Sequence, residues 1–222
     1  MLITPNSNLY VYVITRDFGF APNPFYGMCT LATCKPVIRR GARVGDWLLG
    51  VAGKNLGAEI HRKCILLMKV SEKISFQEYW DDTRFSLKKP CRNGSRLKMV
   101  GDNIYHQGRG EDWMQEDSHH SNEDGTINYT NLNRDTGTCD QLLISDFFFY
   151  FGDKADSVDL ESINYTSGVG CKKISLDLSV EGRALIEEVY SKHKHSLNNV
   201  ISDPCQFVNS HQRVDQATGK IS

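Results

Sequence analysis

The sequence predicts an α+β fold, a small, twisted, partly closed mixed β-sheet with flanking helices. Short runs rich in β-branched and aromatic residues recur at Leu9–Ile14, Trp47–Gly53, Glu59–Val70 and Gln141–Phe151. Long polar or glycine-bearing segments separate most of them, which argues against alternating βαβ units. One amphipathic stretch, Ser179–His193, supplies a helix to cover the sheet. The 222 residues, 40% of them hydrophobic, suffice for one sizeable core, so a single domain is expected over 1–222. Within it, 9–152 form the core, 153–204 a connecting segment and helix, and 205–222 a polar tail that frays.

Leu9–Ile14 reads as a buried strand that feeds a long loop, Thr15–Pro36. Pro22, Pro24, Gly19 and Gly27 rule out a long helix there, and the mixture of aromatic and polar residues suits the wall of a pocket. Gly45-Asp46 is a turn into the next strand, which pairs antiparallel with Glu59–Val70 as a hairpin. Ser75 followed by Glu78 has the spacing of a capping box and predicts a short helix over Ser75–Asp82. A basic segment, Lys88 to Lys98, follows. From Gln107 to Asp140 the chain turns polar and rich in Gly, Asn and Asp, a second long loop carrying His119 and His120. Gln141–Phe151 is a central strand with a bend at Ser145-Asp146. In Ser179–His193 the residues Val180, Leu185, Ile186, Val189 and Tyr190 share a face, with glutamates early and Lys192 and His193 late, as the helix dipole favours.

Lys and Arg number 26 against 27 acidic residues, so no global positive field is present and any nucleic-acid contact is local. The seven cysteines are irregularly spaced and the first residues have no signal-peptide pattern, so a reducing cytoplasm is expected. No apolar run reaches the roughly 20 residues that span a bilayer. No P-loop or dinucleotide-type glycine loop follows a strand, and no cofactor is expected. Cys29 and Cys34 with His106, His119 and His120 have the donor types of a metal site. Their Cys-x4-Cys spacing lacks a second cysteine pair, and small buried thiols without a metal are the expectation.

Two facing loops, 15–36 and 101–140, concentrate the chemistry. Phe18, Phe20, Phe25, Trp47, Tyr79, Trp80 and Trp113 offer faces for a base, and Asp17, Asn23, Asp82 and Asp102 offer groups for its edge. Thr30, Arg39, Arg84, Asn103 and Tyr105 complete the expected binding set. Lys88, Lys89, Arg92 and Arg96 form a phosphate-binding segment, with Arg39, Arg40 and Arg43 as further cations. For catalysis, a thiolate at Cys29 or Cys34 near Arg16 or Lys35 is a nucleophile, with His106 or His119 as acid or base. Asp17, Asp102 or Asp135 are the alternatives for activating water. The set carried forward as catalytic is Arg16, Asp17, Cys29, Lys35, Asp102 and His106.

The run Thr15-Arg16-Asp17-Phe18-Gly19-Phe20-Ala21-Pro22-Asn23-Pro24-Phe25, then Cys29 to Pro36, Ile38-Arg39, Gly45-Asp46-Trp47 and Gly101 to Tyr105, resembles the nucleotide modification associated domain 2 family. The resemblance covers about 9–152. It implies work beside base-modifying or nucleic-acid-targeting systems of bacteria and phages, with nucleotide or nucleic acid as partner and protein partners from a modification or defence operon. Gly45-Asp46 opening a strand, its hairpin partner, and Tyr79, Trp80, Asp82 and Arg84 are also similar to PUA-like domains of the ASCH and EVE kinds, which implies a PUA-like partly closed barrel holding a base. Recognition of a modified nucleobase or nucleotide is the favoured expectation. An enzyme acting on a base or nucleotide, or a partner-binding subunit using the C-terminal helix, are the alternatives.

Overall fold

The computed structural model describes residues 2–108, 112–166, 168 and 170–222. Positions 109–111 of the expected second loop and 167 and 169 of the expected connector lie outside the described residues.

The elements in order are β1 (Asn8–Ile14), β2 (Cys29–Leu31), α1 (Pro36–Gly41), β3 (Trp47–Ala52), β4 (Cys64–Lys69), β5 (Glu72–Ser75), α2 (Phe76–Asp81), α3 (Arg96–Met99), β6 (Tyr105–Gln107), β7 (Trp113–Gln115), α4 (Tyr129–Thr136), β8 (Gln141–Ser145), β9 (Phe147–Tyr150), β10 (Cys171–Ser175) and α5 (Val180–His193). Five strands form one sheet in the order β10-β1-β3-β4-β9, three form a second, β2-β8-β5, and β6 pairs with β7. β1 and β3 run parallel while the other neighbours in the large sheet are antiparallel, including the expected β3–β4 hairpin. The fold is mixed α+β, as expected. Among the described residues the sheets remain separate and do not close into a barrel.

Side-chain alternation sets the layers. Leu9 and Val11 of β1 with Trp47, Leu49 and Val51 of β3 face one way, onto Leu185, Ile186 and Val189 of α5. Tyr10, Tyr12 and Ile14 with Leu48 face the other way, onto Leu31, Ile38 and Leu143. Leu142 and Ile144, the alternate residues of β8, face a third cluster with Phe76, Tyr79, Tyr105 and Leu132. Gly50 sits opposite Tyr12 because a Cβ there would come within 2.5 Å of Ile14 Cδ1 and 3.3 Å of the Tyr12 ring.

Several elements differ from the sequence expectation for local reasons. The bend at Ser145-Asp146 is real, but it splits the apolar run into β8 and β9 and carries the chain from one sheet to the other. The loop 15–36 contains β2, because Cys29–Leu31 pairs with β8. Pro36, whose fixed φ suits a first helical turn, ends the expected loop by opening α1, a helix that was not expected. Asn128 caps α4 inside the second expected loop by accepting from the Asn131 N–H. Ser75 and Glu78 form the capping box as read, and Ser179 caps α5. Val180 stays exposed rather than joining the apolar face of α5. The tail does not fray over the described residues. Its backbone bonds to His119 through the Val214 N–H, and Arg16 donates to the Gly219 carbonyl at 2.7 Å.

Candidate active site

Beside the C-terminal end of β1 opens a cavity of about 170 Å³, walled by residues from five parts of the chain. Thr15, Arg16, Phe18 and Phe20 come from the first loop, Cys34 and Lys35 from the entry to α1, and His119 and His120 from the second loop. Arg134 comes from α4, and Val214 and Gln216 from the tail.

At its floor lies a linear relay. Cys34 Sγ is 3.8 Å from His120 Nε2, and His120 Nδ1 is 2.9 Å from Asp135 Oδ2. Asp135 also accepts from the Tyr105 hydroxyl at 2.9 Å, from the Cys34 N–H at 2.8 Å and from Gln216 Nε2 at 3.2 Å. The carboxylate therefore orients the imidazole and holds the backbone of the thiol residue at once. Arg39 ties the same pieces from behind, donating to the carbonyls of Cys34 at 2.8 Å and Asp135 at 2.5 Å. Cys34 and Lys35 both occupy the left-handed backbone region, with φ of 58° and 43°. Each costs about 1–2 kcal/mol for a residue with a Cβ. Two such residues in succession in the wall of a cavity mark a place where geometry has been held against local preference.

Burial pushes the His120 imidazole down, and the charge of Asp135, with Cys34 and their hydrogen bonds, more than offsets it, leaving the value pushed up to about 10. Burial pushes Asp135 up, but His120 and Arg39 hold it below the usual carboxylate range. His119 behaves oppositely. Burial and the neighbouring His120 drive it well below its ordinary value, so it is neutral. Its Nδ1 donates to the Gln212 carbonyl at 2.6 Å, which leaves Nε2 as an acceptor. Its ring packs on Phe18 and Phe20 with centroids 4.6 and 5.0 Å apart. The cavity thus holds one protonated and one neutral histidine side by side.

Arg16, Lys35 and Arg134 line the walls, and among the described residues no carboxylate does. Lys35 Nζ donates to the Val13 carbonyl at 3.0 Å, and burial lowers its value. The tail holds the two arginines, Arg16 through Gly219 O and Arg134 through Gln216 O at 2.8 Å.

Cys34, His120 and Asp135 also offer one ligand atom each within 4.8 Å of one another, a spacing open to a metal ion. The donor set fits such an ion poorly, because His120 uses both ring nitrogens in the relay and both Asp135 oxygens already accept hydrogen bonds.

Of the residues expected to bind or catalyse, Arg16, Phe18, Phe20 and Lys35 reach the cavity, and Tyr105 and Arg39 support it from outside. A second group forms a closed buried cluster instead. Lys88 Nζ donates to Asn23 Oδ1 at 2.7 Å, Thr30 Oγ1 to Asp102 Oδ2 at 2.5 Å, and Tyr79 OH to Asp102 Oδ1 at 2.8 Å. Lys88 is therefore no phosphate ligand; only 1% of it is exposed. Asn103 bonds the Tyr79 carbonyl beside this cluster. Cys29 lies under it, with its thiol pushed up to about 12 by burial, and is not placed to act as a nucleophile. Asp17 is buried among Tyr150 and the Cys205 N–H, tying the first loop to the C-terminal segment.

The remaining candidates are engaged elsewhere. Trp47 lies in the core under α5, edge-on to Phe147, and Phe25 packs on Phe207. Trp80 is stacked on His106 at 4.0 Å with Lys89 Nζ 3.5 Å over its ring, so its faces are taken. His106 bonds Glu116, Asp82 and Glu72 pair with Arg84, and Trp113 packs edge-on against Phe76. Arg92 donates to the Met99 carbonyl at 2.7 Å, and Arg96 is exposed on α3 away from the cavity lining. Sequence reasoning missed Arg134 and Gln216, and it weighed Cys34, His119, His120 and Asp135 without placing them in the site. The adjacent histidines in a polar segment were the available signal.

The model of the nucleotide modification associated domain 2 matches residues 6–211. The chain belongs to the nucleotide modification associated domain 2 family. The match runs well past Gly152 and takes in α5, so this family's domain includes the helix and β10 as well as the strands around the cavity. Cys34, His120 and Asp135 all fall within it, whereas Gln216 and Gly219 lie beyond its last matched residue. No curated protein and no solved structure matches the chain. Among the described residues no helix is long and apolar enough to cross a membrane.

Proposed function

We propose that this protein is a thiol-dependent enzyme that modifies a nucleobase or nucleotide, with Cys34 as nucleophile. The observation that carries the reading is the Cys34–His120–Asp135 relay at the floor of a cavity lined by Arg16, Lys35 and Arg134. Its members stand in the order a nucleophile, its acid–base partner and an orienting group require. The family's name supports nucleotide chemistry as the setting.

The thiolate form of Cys34 attacks an electrophilic carbon of the base or of a substituent on it, forming a C–S bond. The proton held on His120 Nε2, kept there at neutral pH by Asp135, passes to the atom that leaves or to the atom that gains the electron pair. Neutral His119, with Nε2 free to accept, is placed to take a proton from water or from a second substrate group. Phe18 and Phe20 give the base an apolar wall, and Arg16, Lys35 and Arg134 neutralise phosphate.

The test is incubation of the purified protein with canonical and modified nucleosides, nucleotides and oligonucleotides, followed by mass spectrometry of products and of the intact protein. A converted product, or a mass adduct on Cys34, lost in Cys34→Ser and retained after a chelator, is the expected result. Ligand recovered unchanged by both proteins would replace catalysis with recognition. Conversion abolished by the chelator would assign the three donors to a metal.

A further inference from the structure

Beyond the cavity, a second depression of about 430 Å³ shares Val13, Thr15, Lys35 and Arg134 with it and continues past the end of β3 along Ala52, Gly53, Lys54, His61 and Arg62. Its lining carries Lys35, Lys54, His61, Arg62 and Arg134 and, like that of the cavity, no carboxylate among the described residues. In a chain with 26 basic and 27 acidic residues, this segregation of sign is local and places a positive trough next to the reactive thiol. The trough crosses the C-terminal ends of the parallel pair β1 and β3, where the strands give way to loops.

We propose that this trough binds a single polynucleotide strand, so that the substrate of the Cys34 site is a base within a chain rather than a free nucleotide; the inference rests on the cavity being the reactive site. Two arguments converge. At about 170 Å³ the cavity is smaller than the 300–1,000 Å³ usual for a pocket that encloses a whole small ligand, so it takes a base and leaves sugar and phosphate outside. Arg16, Lys35 and Arg134 at the cavity already suffice for the phosphate of one nucleotide, and Lys54, His61 and Arg62, which line the trough but not the cavity, continue the cations beyond it. A base stacked inside a duplex does not enter a cavity that Cys34 shares with Phe18, Phe20 and His119, so the strand presents it unpaired.

Lys54 is exposed, and its reversal leaves the packing of the fold untouched; Arg62 is half-buried and donates to the Tyr165 carbonyl at 2.9 Å. The experiment therefore uses Lys54→Glu alone and Lys54→Glu with Arg62→Gln, both in the Cys34→Ser background so that bound strand is not consumed. Fluorescence anisotropy measures binding of a labelled single strand of about ten nucleotides over a salt series, with unfolding midpoints as the folding control. The expected result is strand binding that weakens with salt, a loss of about tenfold in Lys54→Glu, and a salt slope lowered by about 0.7 for each phosphate contact removed. Equal binding by the variants and their parent at every salt concentration overturns the trough. Equal affinity for the corresponding duplex, or mononucleotides competing as well as the strand at equal phosphate concentration, overturns the single-strand assignment. These arms read binding only, so a catalytically silent Cys34 with strand held in the trough would fail the enzyme reading, and with it the substrate assignment, while leaving the strand-binding trough standing.

Discussion

Two buried polar clusters in this protein are built from similar parts and differ in one respect. The Lys88–Asp102 cluster has a cation, a carboxylate, a tyrosine and a threonine, with a cysteine beneath it. The His120–Asp135 cluster has a cation, a carboxylate, a tyrosine and a cysteine. In the first, each of these groups faces another across the core, between β2, α2 and the segment before β6. In the second, the thiol and one imidazole edge face a cavity. Residue inventory makes a buried network possible, and access to solvent decides whether it can do chemistry.

The largest effect that sharpens this contrast is expected at Cys34. Cys34→Ser should lower turnover by on the order of 10⁴–10⁶-fold, as removal of a nucleophile from a relay does, with the urea unfolding midpoint essentially unchanged. Cys29→Ser should leave turnover near that of the parent. A Cys29 variant that loses turnover at unchanged stability would break the comparison.

The next effect is on stability. Lys88→Met leaves Asp102 buried without its cation and should cost roughly 3–5 kcal/mol in chemical denaturation. Pairing it with Asp102→Asn should recover a large part of that loss, since the two residues share one network. Near-wild-type stability of Lys88→Met would mean that the cluster is not the closed structural unit described.

A third effect is a pH dependence with a definite sign. His120 in the folded protein is raised from 6.5 to about 10, so the folded state keeps a proton that the unfolded chain gives up. Its stabilisation is complete below pH 6.5 and is lost as pH rises towards about 10. Asp135 is held below 3.8, so its contribution is present above that value and is lost as pH falls. Melting temperatures from pH 6 to pH 10 should therefore decline in the parent and decline less in His120→Gln. Parallel curves would remove the ion pair.

The smallest effect is expected at the tail. Gln216→Ala removes one donor to Asp135 and should cost about 0.5–1.5 kcal/mol and reduce turnover modestly, with KM little changed. A Gln216 variant indistinguishable from the parent in turnover would show that the segment beyond the family match is only a cover.

Much of the fold was legible because its signals are local. The capping box at Ser75–Glu78 joins neighbours in sequence, and the amphipathic spacing of Leu185, Ile186 and Val189 repeats within one helix. The bend at Ser145-Asp146 also showed, but the transfer between two sheets did not, since pairing partners are chosen at a distance. α1 and α4 were hidden because polar or charged residues fill much of their short lengths, and only Pro36 and Asn128 mark their starts.

The site divides along the same line. The first loop was read as the wall of a pocket, and Arg16, Phe20 and Lys35 are in it, because a loop that mixes aromatic and charged residues has few other places to go. The choice between Cys29 and Cys34, and among His106, His119 and His120, was not readable. Cys34 and His120 are 86 positions apart, and the Cys34 N–H finds Asp135 across 101. By itself the sequence determined the main apolar strand runs, the helices capped at Ser75 and Ser179, the absence of a global positive field and the family. Only the tertiary structure decided which thiol meets which imidazole and which carboxylate is closed off, because those are long-range contacts made under packing constraints that local periodicity and propensity do not encode.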